Sequence, residues 1–269
     1  MTSRKKKDDI LWAFFGSGTE SEYALKQLAQ LGLEPALVIR GKELPQELYN
    51  TPWDFFVVAS YGKILPKAML DLPRRGALNI HPSLLPKLRG PSPILSAILC
   101  DERETGVTIM LMEERMDAGP VLAQARVEIA QEEWPPQAQV LTQMLFVEGA
   151  NLLAETLPLW LSGELTPEKQ DESKATYTKK FTENDSLINP EGGRADFLKV
   201  RAFDRSPRAH FFLNSHPSHK TPGERDRRIV VTDATLKDGA LKILKVVPEG
   251  KKEMPYADFL RGAGRAGSL

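Results

Sequence analysis

Ile10-Leu11-Trp12-Ala13-Phe14-Phe15-Gly16-Ser17-Gly18, near the start of the 269-residue sequence, is an apolar run that ends in a glycine turn. Such a run predicts a buried strand that leads into a tight turn, and the helical spacing of apolar side chains in residues 20–31 predicts a helix after it. A dinucleotide-binding turn has a third small residue at the position of Ser21, for which serine is a weak substitute. It also has an acidic residue at the end of the next strand, where this sequence has Arg40. We therefore favour a plain strand-to-helix turn over a dinucleotide site.

The same alternation continues along the first half of the chain. Further strands are predicted at residues 37–39, 55–59, 77–81, 107–112 and 121–129. Continuous apolar strands separated by helical stretches are typical of a parallel sheet covered on both faces. The predicted fold class is therefore α/β with a Rossmann-like parallel sheet, and in such sheets ligands bind beyond the carboxyl ends of the strands.

The second half of the chain changes in character. Residues 137–161 predict a long helix, residues 162–189 are polar without a clear period and predict a linker or wrapping segment, and residues 195–203 predict a helix. Short strand candidates at 209–213, 228–232 and 241–247 predict a small β-rich domain. We expect a catalytic domain over residues 1–165, a linker over 166–189 and a C-terminal β-barrel-like domain over 190–269.

Charge and composition narrow the classes of protein. Lys+Arg and Asp+Glu number 36 each, but residues 190–269 hold 16 of the former against 10 of the latter, a net charge of +6. This excess indicates a polyanionic partner, unless it is a chance asymmetry of solvated faces. Cys100 is the only cysteine, which excludes an intrachain disulfide. No apolar run reaches the roughly 20 residues of a membrane span, and the basic N-terminus lacks the apolar core of a secretory signal, so we expect a cytoplasmic protein that binds no membrane.

Asn79 and His81 are the first candidate site residues. They are two apart on one predicted strand and so point to the same side, at its carboxyl end. Pro82 stops the strand, and three further prolines stiffen the loop that follows. An Asn amide can donate a hydrogen bond to a developing oxyanion, and a His can donate one or move a proton. A capping Asn with a surface His is the alternative for an isolated pair of this kind.

Asp117 is the third candidate, in the acidic turn that follows the strand predicted at 107–112. A carboxylate there could reach His81 and fix its tautomer or raise its pKa. An ordinary turn Asp is equally consistent with the residues alone, and Glu113 and Glu114 compete with it on physical grounds.

These motifs together resemble the folate-dependent formyltransferases. The resemblance is carried by Asn79-x-His81-x-Ser83-Leu84-Leu85-Pro86, by Asp117-x-Gly119 and by the segment Ala59-Ser60-Tyr61-Gly62-Lys63-Ile64-Leu65-Pro66. Arg89-Gly90-Pro91-Ser92-Pro93-Ile94 and Gln170-Asp171-Glu172-Ser173-Lys174-Ala175-Thr176-Tyr177 are similar to the methionyl-tRNA branch. Residues 201–204, 209–213 and 248–254 resemble the open, OB-like β-barrel of that branch.

The resemblance implies a function, which we state as an expectation. A formyl group would pass from 10-formyltetrahydrofolate, the co-substrate, to the amino group of initiator methionyl-tRNA, without a metal. Asn79 and His81 would stabilise the tetrahedral oxyanion, and Asp117 would hold His81 and assist proton removal from the attacking amine.

The resemblance also implies contacts to folate and to the acceptor. The folate contacts would come from Ser83, Leu84, Leu85 and Pro86 and from Tyr61, Gly62 and Ile64. The family's long basic insertion after the second strand, which contacts the tRNA acceptor arm, is reduced here to residues 40–47. The basic C-terminal part and Arg4-Lys5-Lys6-Lys7 could compensate through phosphate contacts.

Two other functions remain open on the sequence. One is a formyltransferase that acts on an amino-sugar nucleotide with the same folate donor, and the other is a non-catalytic protein that binds folate or RNA. We expect a monomer in each case.

Overall fold

The structure is a computed structural model that describes residues 10–41, 43–213 and 226–265. The basic run Arg4-Lys5-Lys6-Lys7 lies outside the described residues. Contacts along the chain divide it into two compact units, the first comprising residues 1–94, 104–130 and 141–179, and the second residues 95–103, 131–140 and 180–269.

The first unit is built on a six-stranded sheet in the order β2-β1-β3-β4-β5-β6. Its strands are β1 (Trp12–Gly16), β2 (Leu37–Ile39), β3 (Phe55–Ala59), β4 (Ala77–His81), β5 (Thr105–Leu111) and β6 (Val121–Val127). The first four run parallel, as the apolar runs predicted. Every residue of β1 and β3 is buried, which explains why these strands read as continuous apolar runs.

The last two strands correct the expectation of a wholly parallel sheet. β5 pairs antiparallel with β4, with His81 opposite Thr108 and Leu78 opposite Leu111, and β6 pairs antiparallel with β5. A buried apolar run carries no information about strand direction, so the sequence could not distinguish the two arrangements. Because β5 ends beside Leu78, the connection from β5 to β6 must fold back to bring any side chain to His81.

Besides short 3-10 helices at residues 131–133, 172–174 and 183–186, the described residues form seven α-helices. They are α1 (Gly18–Gln30), α2 (Glu47–Asn50), α3 (Lys67–Leu70), α4 (Pro93–Leu99), α5 (Ala138–Ser162), α6 (Arg194–Ala202) and α7 (Tyr256–Arg265). Gly149 of α5 lies so close to the sheet that a Cβ there would collide with Cγ2 of Ile80 and lie 3.0 Å from Cγ2 of Val107. The long helix therefore packs directly behind β4.

The second unit contains a four-stranded antiparallel sheet in the order β10-β9-β8-β7. Its strands are β7 (His210–Leu213), β8 (Arg227–Lys237), β9 (Ala240–Pro248) and β10 (Met254–Pro255). The inner faces of β8 and β9 supply its core, in which Ile229, Val231 and Val246 are almost completely buried. This β-rich second part of the chain agrees with the prediction.

Candidate active site

The carboxyl end of β4 carries Asn79 and His81 on one face. Asn79 is paired with Val58 on one side and Met110 on the other, so its backbone is fixed by two neighbouring strands. Its side chain is half-buried, and its amide makes no hydrogen bond to the part of the chain that the structure describes. The amide can therefore donate to a ligand atom without breaking a bond to those residues.

His81 is buried, with 4% of its surface exposed. Its Nε2 lies 3.2 Å from the carbonyl oxygen of Leu88, and because a carbonyl can only accept, this contact needs the proton on Nε2. Burial lowers the pKa of His81 below its usual value, against the opposing influences of the Asp117 carboxylate and the bond to Leu88. The resting ring is therefore neutral, with its proton on Nε2 and a lone pair on Nδ1.

Asp117 approaches the other side of this ring. Its Oδ1 lies 3.7 Å from Nδ1 of His81, and its Oδ2 accepts a hydrogen bond of 2.7 Å from the backbone N–H of Gly90. Asp117 has a left-handed φ of 51°, which Asp tolerates better than most residues. Glu113 and Glu114, the competing carboxylates, are both exposed at the surface. The fold thus brings Asp117 to His81.

The segment after β3 lies at the same edge of the sheet as the end of β4. Its turn is held by Ser17, whose hydroxyl lies 3.0 Å from the carbonyl oxygens of both Ser60 and Tyr61. The buried Tyr61 donates to the carbonyl of Gly41 at 3.1 Å, and Gly62 adopts a φ of 72°. Ile64 is 78% exposed, so among these residues it presents the largest apolar surface to a ligand.

The loop Ser83-Leu84-Leu85-Pro86 contains two kinds of side chain. Ser83 is buried and donates to the carbonyl of Lys87 at 2.7 Å, and the buried Leu85 donates its backbone N–H to Thr108 Oγ1 at 3.1 Å. Leu84 and Pro86 are half-buried. The second pair can contact a ligand, while Ser83 and Leu85 stabilise the loop from inside.

A groove of about 500 Å³ runs along the outer side of this loop. It is lined by Leu84, Leu85, Pro86, Lys87, Glu104, Gln124, Arg126 and Lys174. Neither Asn79, His81 nor Asp117 lines it, so the groove and the His81–Asp117 pair are separate features of the first unit.

One contact of this region was not predicted from the sequence, and it joins Arg89 to Gln170 and Glu172. Arg89 is fully buried and its guanidinium binds Gln170 and Glu172, while Gln170 donates to the backbone of Asp117. The sequence singled out these residues for their resemblance alone. A buried arginine far from its partners in sequence leaves no local pattern, so no periodicity could have found the contact.

Neither a metal-binding cluster nor a membrane-spanning helix occurs in the described residues. Within residues 10–41, 43–213 and 226–265, no group of three or more His, Cys, Asp or Glu side chains is arranged to hold a metal ion. In the same ranges no helix has the length and apolar character needed to cross a membrane.

Comparison with known proteins now identifies the family. The family profile described as "Formyl transferase" matches residues 19–155. A methionyl-tRNA formyltransferase of Bacillus licheniformis is 40% identical over 250 residues, which cover 86% of this chain and 77% of that protein. The chain belongs to the formyl transferase family.

Solved structures of other formyl transferases show the same fold. The methionyl-tRNA formyltransferase from Clostridium thermocellum superposes with a TM-score of 0.63 at 18% identity, covering 91% of this chain and all of that one. An N-formyltransferase from Helicobacter canadensis, solved with folinic acid and dTDP-3-aminofucose, gives a TM-score of 0.62 at 15% identity, covering 91% of this chain and all of that one. At these identities the likeness concerns the fold only.

Proposed function

We propose that this formyl transferase moves a formyl group from 10-formyltetrahydrofolate to the amino group of initiator methionyl-tRNA. The observation that carries the chemistry is the buried His81, 3.7 Å from the half-buried Asp117 carboxylate and on the same strand as the half-buried Asn79. The choice of acceptor is supported by the 40% identity to a methionyl-tRNA formyltransferase along most of both chains.

Each of the three side chains has a role in the proposed reaction. The amine nitrogen of the acceptor bonds to the formyl carbon, and the amide of Asn79 donates to the oxygen that becomes negative. The proton lost by the amine passes to Nδ1 of His81, since the Nε2 proton is already engaged by Leu88. Asp117, 3.7 Å away, stabilises the charged ring. The bond from the formyl carbon to N10 of the folate then breaks, and N10 takes the proton.

The side chains of the proposed folate contacts differ in exposure, which supports two different roles for them. Ile64, Leu84 and Pro86 present apolar surface that can pack against a ring system. Tyr61 and Gly62 shape the backbone turn beside it. Ser83 and Leu85 are buried and contribute by holding the loop.

The charge distribution supports a nucleic-acid contact in the C-terminal part. Residues 190–269 carry the net charge of +6, and Lys242 and Lys245 are exposed on β9, where they can meet phosphates. We propose that residues 1–165 form the catalytic domain, that residues 166–189 link it to the C-terminal domain, and that residues 190–269 contribute to acceptor binding. We also propose that the enzyme is monomeric and cytoplasmic.

The test is a formylation assay with 10-formyltetrahydrofolate, the purified wild type and two variants. The wild type should formylate methionyl-tRNA, and Asn79→Ala should lower kcat on the order of a hundredfold, the usual effect of losing an oxyanion donor. Asn151→Ala is the matched control, because the Asn151 amide bonds to Gln27 and Glu148 away from β4, and it should retain full activity.

Mass spectrometry of the products separates the acceptors. Formylation of an amino-sugar nucleotide without formyl-methionyl-tRNA would replace the tRNA proposal by the sugar alternative. Absence of any formylated product would leave a binding protein and would refute the catalytic roles as well.

A further inference from the structure

Arg89 is a fully buried arginine whose three side-chain nitrogens all donate hydrogen bonds. Nε and Nη2 donate to Gln170 Oε1 at 3.1 and 2.8 Å. Nη2 and Nη1 donate to the two oxygens of Glu172 at 2.9 and 3.1 Å, and Nη1 also donates to the hydroxyl of Tyr177 at 3.1 Å. A guanidinium has five N–H donors in a rigid fork, so this arrangement uses the whole group.

The backbone on each side of Arg89 holds one member of the His81–Asp117 pair. The carbonyl of Leu88 accepts from His81, and the N–H of Gly90 donates to Asp117. Leu88 has a left-handed φ of 60°, which a leucine keeps only where the surroundings enforce it. Gly90 has a φ of 112°, which glycine adopts because it lacks a Cβ. Both contacts to the pair therefore depend on how Arg89 is held between them.

Arg89 is held through its backbone as well as its side chain. Its N–H donates to the carbonyl of Thr176 at 2.9 Å, and its carbonyl accepts from the N–H of Thr178 at 2.7 Å. The partners of Arg89 thus come from one stretch, residues 170–178, which we call the bracing segment.

Gln170 extends the contact to the other side of Asp117. Its Oε1 accepts from Arg89, and its Nε2 donates to the carbonyls of Asp117 and Gly119 at 2.9 and 2.7 Å. Asp117 is consequently fixed twice, through its carboxylate by Gly90 and through its backbone by Gln170.

We propose that Arg89, with Gln170, is a positioning residue for the formyl transfer inferred above, on which this inference rests, and that it sets the distance between His81 and Asp117. Arg89 touches neither of their side chains and acts through Leu88, Gly90 and Gln170. A purely structural arginine would affect stability alone. A positioning arginine affects the reaction in molecules that are fully folded.

Lysine is the informative replacement because it keeps the charge and loses the fork. Arg89→Lys should lower kcat at least about tenfold while the KM values for donor and acceptor change less than about twofold, since the geometry of the His81–Asp117 pair governs the transition state and not the binding of either substrate. Arg75→Lys is the matched control, because Arg75 also donates a long-range hydrogen bond, to the carbonyl of Trp160 at 3.1 Å, and it lies before the start of β4, away from the His81–Asp117 pair. Its kcat should be unchanged.

Gln170→Glu keeps the acceptor that Arg89 needs and replaces the amide donor to Asp117 by an oxygen. This milder variant tests the same inference if Arg89→Lys folds poorly, and it should also lower kcat with little change in KM. Combined with Asp117→Asn, neither substitution should lower the rate much further, because the group being positioned is already lost. Independent, multiplying effects on kcat per folded molecule would overturn the inference.

Hydrogen exchange provides a readout that needs no activity. In Arg89→Lys the protection of the Gly90 amide should fall at least about tenfold while that of the Leu85 amide, bonded to Thr108, is retained. Unchanged protection at Gly90 would refute the positioning role whether or not the wild type formylates tRNA. An inactive wild type with the expected loss of protection would refute the proposed function and leave the geometry of the inference intact.

Discussion

Gly149→Ala tests whether helix α5 controls the position of β4, the strand that carries Asn79 and His81. Alanine in a helix interior is favoured over glycine by about 1 kcal/mol, so the substitution would stabilise an exposed helix. Here the new methyl group would collide with Cγ2 of Ile80 and crowd Val107 at 3.0 Å. Ile80 is 1% exposed and β-branched, and such overpacking costs about 1–3 kcal/mol.

The crowding should outweigh the helix propensity, because β4 is fixed between two strands and Ile80 has no space to enter. We expect a net loss of about 1–2 kcal/mol in the free energy of unfolding. Since Ile80 lies between Asn79 and His81 in β4, the displacement should also lower kcat. Urea denaturation followed by circular dichroism measures the first effect and the formylation assay the second.

Two further variants make the Gly149 experiment decisive. Gly262→Ala in α7, where a Cβ meets no described atom within 4 Å, should stabilise by up to about 1 kcal/mol. Ile80→Ala removes the atom in the collision, so the double variant Ile80→Ala/Gly149→Ala should be more stable than the sum of the single effects by about 1 kcal/mol or more. Stabilisation by Gly149→Ala, or additivity in the double variant, would refute the reasoning.

Three other predictions concern charged residues. The Asp117 carboxylate raises the pKa of the buried His81, so Asp117→Asn should let that pKa fall further. The acid limb of the kcat/KM profile should then move to lower pH. An acid limb at the same pH would exclude His81 as the group that must be neutral for the reaction. Hydrogen bonds from arginines lower the pKa of Glu172 from 4.5 to about 2, so its stabilisation is complete above pH 4.5 and lost as the pH falls towards 2. Glu172→Gln should therefore flatten the acid side of the unfolding free energy, and equal slopes in urea titrations of both proteins would contradict this. Asp101→Ala removes the carboxylate that accepts hydrogen bonds from the guanidinium of Arg194 and from the indole N–H of Trp134. It should lower the free energy of unfolding, measured by urea denaturation, by about 1–3 kcal/mol. A change within experimental error would show that water replaces the carboxylate.

The sequence predicted those parts of the fold that burial encodes directly. The bounds of β3 and β4 agree with the apolar runs at residues 55–59 and 77–81, since each run ends where the backbone becomes exposed or meets a proline. The direction of β5 was not predictable, because a strand buried on both faces reads alike in either direction. The glycine turn after β1 leads into a helix as predicted, and α1 begins at Gly18, two residues before the predicted helix at 20–31.

The sequence predicted the individual residues of the candidate site but not which of them the fold brings together. Asn79 and His81 share a strand, so alternation alone placed them together. Asp117 could not be chosen over Glu113 and Glu114 from the residues, because the choice depends on how the connection after β5 folds back. The contact from Arg89 to Gln170 joins residues 81 positions apart. The polar bracing segment has no periodic pattern from which this contact could be predicted.

The proposed role of the bracing segment also limits how short a working version of this enzyme could be. The family profile ends at residue 155, and a chain cut there would contain Asn79, His81 and Asp117 but neither Gln170 nor Glu172. During synthesis the same shortage is temporary, since the ribosome must release residues 170–178 before Arg89 can be enclosed. An engineer who trims or swaps modules should therefore place the junction after Thr178, and a nascent chain acquires its proposed catalytic geometry only once that stretch has emerged.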